Sequence, residues 1–103
     1  MKTERHNGTL SISEIPELAS SNSGWFCDEV RASLDEQLKT IEIDLSKTDF
    51  VDSSGLGALV LLHKAARGLG GHGATIRLLN PIPRVQQIFE LTRMHHLFEI
   101  VRR

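Results

Sequence analysis

Tyrosine is absent, tryptophan occurs once and phenylalanine four times in the 103 residues, so the core must be assembled from Leu, Ile, Val and Ala. The single cysteine, Cys27, has no partner within the chain. That excludes a disulfide-stapled scaffold and fits a reducing compartment. The longest apolar run, Ala58 to Leu62, falls far short of the roughly 20 residues that a membrane span needs. Met1 to Gly8 contains no apolar stretch of the signal-peptide kind. Neither sign of charge dominates, with 12 Lys and Arg against 13 Asp and Glu for a formal charge of −1. No basic stripe with interleaved aromatics suggests direct contact with nucleic acid, and no acidic tail is present. The expectation is a cytoplasmic protein without membrane association, of a size for one domain over residues 1–103.

The residues that are present fall into two alternating rhythms. Thr9 to Ile15 alternates polar and apolar residues, which predicts a strand with one buried face, and Asn7-Gly8 predicts a turn to a short partner strand over Lys2–His6. Residues 16–24 are small and polar and predict a loop. From Trp25 the spacing turns helical, with Phe26, Val30, Leu34 and Leu38 as the apolar stripe and Asn22 or Ser23 as the cap. Thr40 to Leu45 alternates again, and Phe50-Val51 leads into the polar cluster Asp52-Ser53-Ser54-Gly55. There Asp52 or Ser53 is placed to cap a long helix whose stripe runs through Gly55, Ala58, Leu59, Leu62, Ala65, Ala66 and Leu69. Gly68 to Gly73 ends that helix. A strand over Ala74–Leu79 follows, then the turn Asn80–Pro83, a helix with Ile82, Val85, Ile88 and Phe89 inward, and a closing strand over Leu97–Val101. Alternating strands and helices imply a largely parallel or mixed sheet with right-handed crossovers.

Three motif-like features carry no chemistry. Gly68-Leu-Gly70-Gly-His-Gly73 has the letters of a dinucleotide fingerprint but follows a helix and opens a strand, the reverse of what pyrophosphate binding needs. The five histidines show no metal-ligand spacing, so no metal and no cofactor is expected. Ser54 lacks a nucleophile elbow and an obvious base, so the chain is not expected to be an enzyme.

The stretch from Ile43 onward is the most specific signal. It reads Ile-Asp-Leu-Ser-Lys-Thr-Asp-Phe-Val-Asp-Ser-Ser-Gly-Leu-Gly-Ala-Leu, then Asn80-Pro-Ile-Pro-Arg-Val, Phe89-Glu-Leu-Thr and Leu97-Phe-Glu-Ile. In content and order it resembles the STAS-type anti-sigma factor antagonists. The resemblance implies an α/β STAS fold, a single small mixed β-sheet with about three to four helices packed mainly on one face. It implies phosphorylation at Ser54 (with Ser53 the lesser candidate) by an anti-sigma factor that is itself a serine kinase, and reversal by a serine phosphatase of the PP2C type. Asp52, Ser53, Gly55 and Gly57 complete the motif. The N-terminal half departs from the family pattern, because Pro16-Glu-Leu-Ala-Ser-Ser-Asn stands where a glycine-led segment is usual.

The chemistry suits such a switch. With Ser53 as the cap, Ser54 is the first helical residue and its hydroxyl is free. A phosphate there adds about −1.5 to −2 charge, which a helix N-terminus accepts and a partner surface does not. Projection of the helix at about 100° per residue sets Leu56, Val60, Lys64 and Arg67 away from the core stripe, as candidate contacts for the anti-sigma factor. Two other functions use the same residues: a STAS docking subunit of a lipid or anion transporter, and a nucleotide-binding or hydrolytic protein acting through Ser54.

Overall fold

In the computed structural model, which describes all 103 residues, the chain runs β1 (Lys2–His6), β2 (Thr9–Ser13), β3 (Glu17–Leu18), α1 (Ser23–Ala32), β4 (Thr40–Asp44), β5 (Phe50–Val51), α2 (Ser53–Arg67), β6 (Thr75–Leu79), α3 (Pro83–Leu91) and β7 (Glu99–Val101). Short 3-10 turns at Leu69–Gly71 and Met94–His96 follow α2 and α3. Five strands form one mixed sheet in the order β1-β2-β4-β6-β7, in which β1 is antiparallel to β2 and the other neighbours are parallel. Each parallel step is bridged by a helix, α1 from β2 to β4, α2 from β4 to β6 and α3 from β6 to β7.

Strand register sorts the two faces of this sheet. Leu10 lies beside Ile41 and Ile41 beside Ile76, while Ile12, Ile43, Leu78 and Ile100 form the next row. These rows meet Phe26 and Val30 of α1, Leu59 and Leu62 of α2, and Val85 and Phe89 of α3 in one hydrophobic core. The opposite face carries Ser11, Glu42, Arg77 and Glu99 in a row. Arg77 reaches Glu99 at 3.2 Å and Glu42 at 3.7 Å, and Arg103 reaches Glu42 at 2.7 Å. A face so charged offers a helix nothing apolar to pack on, so all three helices crowd onto the other side, as the resemblance implies.

The structure alters several predicted boundaries. The stripe Phe26, Val30, Leu34, Leu38 overruns its helix, because α1 ends at Ala32. The Asp35 carboxylate accepts from both Arg5 guanidinium nitrogens, at 2.6 and 2.9 Å, and from the Gln37 N–H at 2.9 Å. This turns the chain, and Leu38 is buried from the loop. Strand β2 stops at Ser13, and Glu14 takes a left-handed φ of 57° that swings Ile15 into the core from outside the strand. The closing strand is shorter than expected, since Leu97 and Phe98 belong to the exit from a 3-10 turn. Within the loop expected at 16–24, Glu17-Leu18 pairs in parallel with Phe50-Val51 as a separate two-stranded sheet.

Thr48 is the buried polar residue of this region, and its hydroxyl donates to the Ile15 carbonyl at 2.5 Å. Thr48→Val keeps the volume but orphans a carbonyl, so it should cost about 1–3 kcal/mol in urea denaturation. An unchanged midpoint would show that the bond is not needed.

Candidate functional site

Ser54 sits where the small sheet, the 19–22 loop and two helix N-termini converge. Asp52 organises the junction. Its backbone is extended, with φ −115° and ψ −175°, and its carboxylate accepts from the Gly55 N–H at 3.0 Å. The other carboxylate oxygen accepts from the Ser20 N–H at 3.0 Å, and the Asp52 N–H donates to the Leu18 carbonyl at 3.1 Å. One residue thus caps α2 and ties it to the segment before α1. Backbone donors, first Ser20 and then Gly55, hold the Asp52 carboxyl below the usual carboxylate range.

The cap is Asp52, and this corrects the assignment of Ser53 to that role. The carboxylate reaches two amides in different segments, which a serine hydroxyl at the next position does not do. Ser53 and Ser54 are therefore the first and second residues of α2, and both are exposed. Ser54 still has a free hydroxyl, one position further into the helix than expected.

Gly55 is fixed by contact. A Cβ on it would lie 2.0 Å from the Leu18 carbonyl oxygen and 2.8 Å from the Leu18 Cβ. A Cβ on Gly57, by contrast, would meet nothing within 4 Å. Gly57 instead leaves open a shallow groove of about 430 Å³ between α1 and α2. Ser23, Gly24 and Cys27 line it from α1, and Ser54, Gly57, Ala58 and Leu61 from α2. Leu61, which lines the groove, is 53% exposed, so apolar surface flanks the serine.

The 19–22 loop that leads into α1 is held by its own side chains. Asn22 stands at the N-cap position of α1 but does not cap it. Its side chain instead accepts from the Ala19 N–H at 2.9 Å and donates to the Glu17 carbonyl at 2.7 Å. Ser21 Oγ donates to the Glu17 carboxylate at 2.9 Å. The polar residues that read as a loop therefore build a rigid turn.

The face expected at Leu56, Val60, Lys64 and Arg67 is not beside Ser54. At about 100° per residue, Leu56 stands about 200° and Val60 about 240° round the helix from it. Leu56 and Val60 are half-buried and pack against the core, and Lys64 and Arg67 are exposed without lining the groove. Val60→Asp would therefore damage packing. The residues that share Ser54's face are at the third, fourth and seventh positions beyond it: Gly57, Ala58 and Leu61. Helical spacing counted from Ser54 itself identifies them. Ser23, Gly24 and Cys27 could not be found that way, because only the packing of α1 on α2 brings them close.

Two measurements test this geometry. Gly55→Ala should cost about 3 kcal/mol or more through overpacking, whereas Gly57→Ala should stabilise by about 0.5–1 kcal/mol; both are read from urea midpoints. Equal effects would mean that the Leu18 contact is not tight. The second concerns acid. A carboxyl lowered by folding adds stability that is fully present above its unfolded value, near pH 3.9, and is lost as pH falls through the folded value. Asp52→Asn should therefore flatten the decline in melting temperature below about pH 4 relative to the parent chain. Parallel declines would remove Asp52 from the acid response.

Comparison with known proteins agrees with the fold. The STAS domain profile matches residues 1–103. A STAS-domain containing protein of Pseudomonas aeruginosa is 40% identical over 58 residues, a stretch that makes up 56% of this chain and 54% of that protein. The match thus spans about half the length of the curated relative. Among solved structures, the fold is similar to that of the anti-sigma factor antagonist SpoIIAA in its unphosphorylated form, with a TM-score of 0.79, 20% identity, and coverage of 97% of this chain and 86% of that one. A candidate anti-sigma factor antagonist of Thermotoga maritima gives a TM-score of 0.80 at 20% identity, over 96% and 83% of the two chains. The murine anion transporter Slc26a9 gives 0.76 at 23% identity, covering 94% of this chain and 16% of the transporter. No helix here is long and apolar enough to cross a membrane. By the profile match over its whole length and the fold that it adopts, the chain belongs to the STAS domain family.

Proposed function

We propose that this protein is an anti-sigma factor antagonist whose unphosphorylated form binds an anti-sigma factor with serine kinase activity and so frees a sigma factor. Phosphorylation of Ser54 switches the binding off, and a PP2C-type phosphatase restores it. The observation that carries this reading is the exposed Ser54 on the first turn of α2, at the lip of a groove that Leu61 also lines. The likeness to antagonist structures supports the same role.

The physics of the switch is local. The N-termini of α1 and α2 favour a phosphate on Ser54, and the adjacent Asp52 carboxylate is already engaged by the Ser20 and Gly55 amides, so the fold stays intact. A partner pressed onto the groove must desolvate the phosphate beside Asp52. A penalty of ~3 kcal/mol weakens binding by roughly a hundredfold, and no large conformational change is needed. Ser53 has an equally exposed hydroxyl but does not line the groove, so a phosphate there is less well placed to block a partner.

The reading predicts that incubation with the serine kinases of the same genome and ATP labels the chain at Ser54, and that Ser54→Ala abolishes labelling without loss of fold. Ser54→Asp should weaken kinase binding while the melting temperature stays within a few degrees of the parent. Leu61→Asp should weaken binding of the unphosphorylated form. Undiminished labelling of Ser54→Ala, read by mass spectrometry, would overturn the assignment. Recovery of a membrane transporter in place of a kinase would favour a docking subunit, to which the likeness to Slc26a9 also points.

A further inference from the structure

We propose that a second cavity, at the C-terminal end of α2, binds a small anion bearing a phosphate or carboxylate group, with Arg67 as its ion-pair partner. The cavity is about 410 Å³, within the range of small-molecule sites. Its walls are the last turns of α2, the Gly71–Ala74 turn, the start of β6 and Leu97. The ionisable side chains that line it, His63, Arg67 and His72, are all basic, and no carboxylate faces them there.

These three residues stand differently. His72 is committed to the fold, with Nδ1 2.7 Å from the Gly73 carbonyl and Nε2 3.1 Å from the Glu36 carbonyl. It braces the turn and has no ring nitrogen to spare. His63 is half-buried, and its ring is oriented by an edge-on contact with Phe98 at 5.6 Å between centroids. Arg67 is exposed and has neither an ion pair nor a side-chain hydrogen bond; Arg31 and Arg93 share that state, but of these three arginines only Arg67 lines a cavity.

A base in the last turn of a helix ordinarily serves the exposed carbonyls and the negative dipole end. In α2 two of those carbonyls, of Ala65 and Ala66, have backbone donors already, and the turn beyond the helix closes on Leu69. Gly68 N–H donates to the Ala65 carbonyl, Ala74 N–H to that of Ala66 at 2.8 Å, and Gly73 N–H to that of Leu69 at 2.7 Å. The dipole end is worth only about half an elementary charge, so the guanidinium keeps a net positive field in the cavity. Gly71, at φ 76°, has open space where a Cβ would stand, so the turn presents bare backbone to an occupant. The guanidinium fork matches phosphate and carboxylate oxygens in pairs. Along α2 the cavity is about 20 Å from Ser54, so the proposal does not rest on the switch reading.

The test is a backbone amide NMR titration of the full chain with inorganic phosphate, run beside sodium chloride at matched ionic strength. Saturable, phosphate-specific shifts are expected at Gly71, Gly73 and Thr75, with one dissociation constant. Arg67→Gln should weaken that constant by about tenfold or more, His63→Gln by less, and Arg67→Lys by an intermediate amount, because lysine keeps the charge but loses the paired fork. Arg84→Gln, on α3, should leave it unchanged. The proposal is overturned if the shifts rise linearly in both salts, persist in Arg67→Gln, or centre on Ser23 and Ser54. Retained spectral dispersion in each variant separates lost binding from lost fold.

Discussion

The first turn of α2 approaches the Leu18 carbonyl so closely that the Cα of Gly55 has room only for hydrogen on that side. Three features depend on that approach. Leu18 is drawn into the small sheet with β5, its carbonyl is brought within reach of the Asp52 N–H, and the 19–22 loop is delivered to the carboxylate of Asp52. A methyl group at residue 55 would push the helix from the strand and break all three at once. The site at Ser54 is therefore built less by the serine than by its neighbours. Asp52 supplies a cap with two acceptors, and Gly55 supplies absence of bulk.

The same contact explains why a groove exists at all. With α2 pinned at its N-terminus, α1 must start beside it, because the loop between β3 and α1 is short and fastened by Asn22 and Ser21. Two helix beginnings then lie side by side, and glycines at 24 and 57 leave the space between them unfilled. The apolar surface of Leu61 at its rim is what remains when three helices crowd onto one face of a sheet whose other face is charged.

The two ends of α2 have opposite character. The N-terminus carries hydroxyls, a carboxylate cap and open amide dipoles. The C-terminus carries bases, and its Ala65 and Ala66 carbonyls are already hydrogen-bonded by the turn that follows. One helix thus places a charge-sensitive surface at one end of the fold and a basic cavity at the other, with the core stripe between them.

By itself the sequence determined the order of the five main strands and three helices, the mixed sheet and the motif around Ser54, because period-2 and period-3.6 burial and short motifs are local properties. Proline at the start of α3 and the turn at Asn7 were legible for the same reason. The tertiary structure decided where local patterns stop. Leu38 keeps helical spacing, yet α1 ends at Ala32, and beyond it Asp35 is paired with Arg5, thirty positions away. Glu17-Leu18 lacks a strand signal and becomes one only because Phe50-Val51 offers an edge. Asp52 displaces Ser53 as cap because its second oxygen finds Ser20, which sequence distance hides. The face that flanks Ser54 followed the same rule: Leu61 was readable by helical spacing, whereas Ser23, Gly24 and Cys27 reach the groove only through the packing of one helix on another.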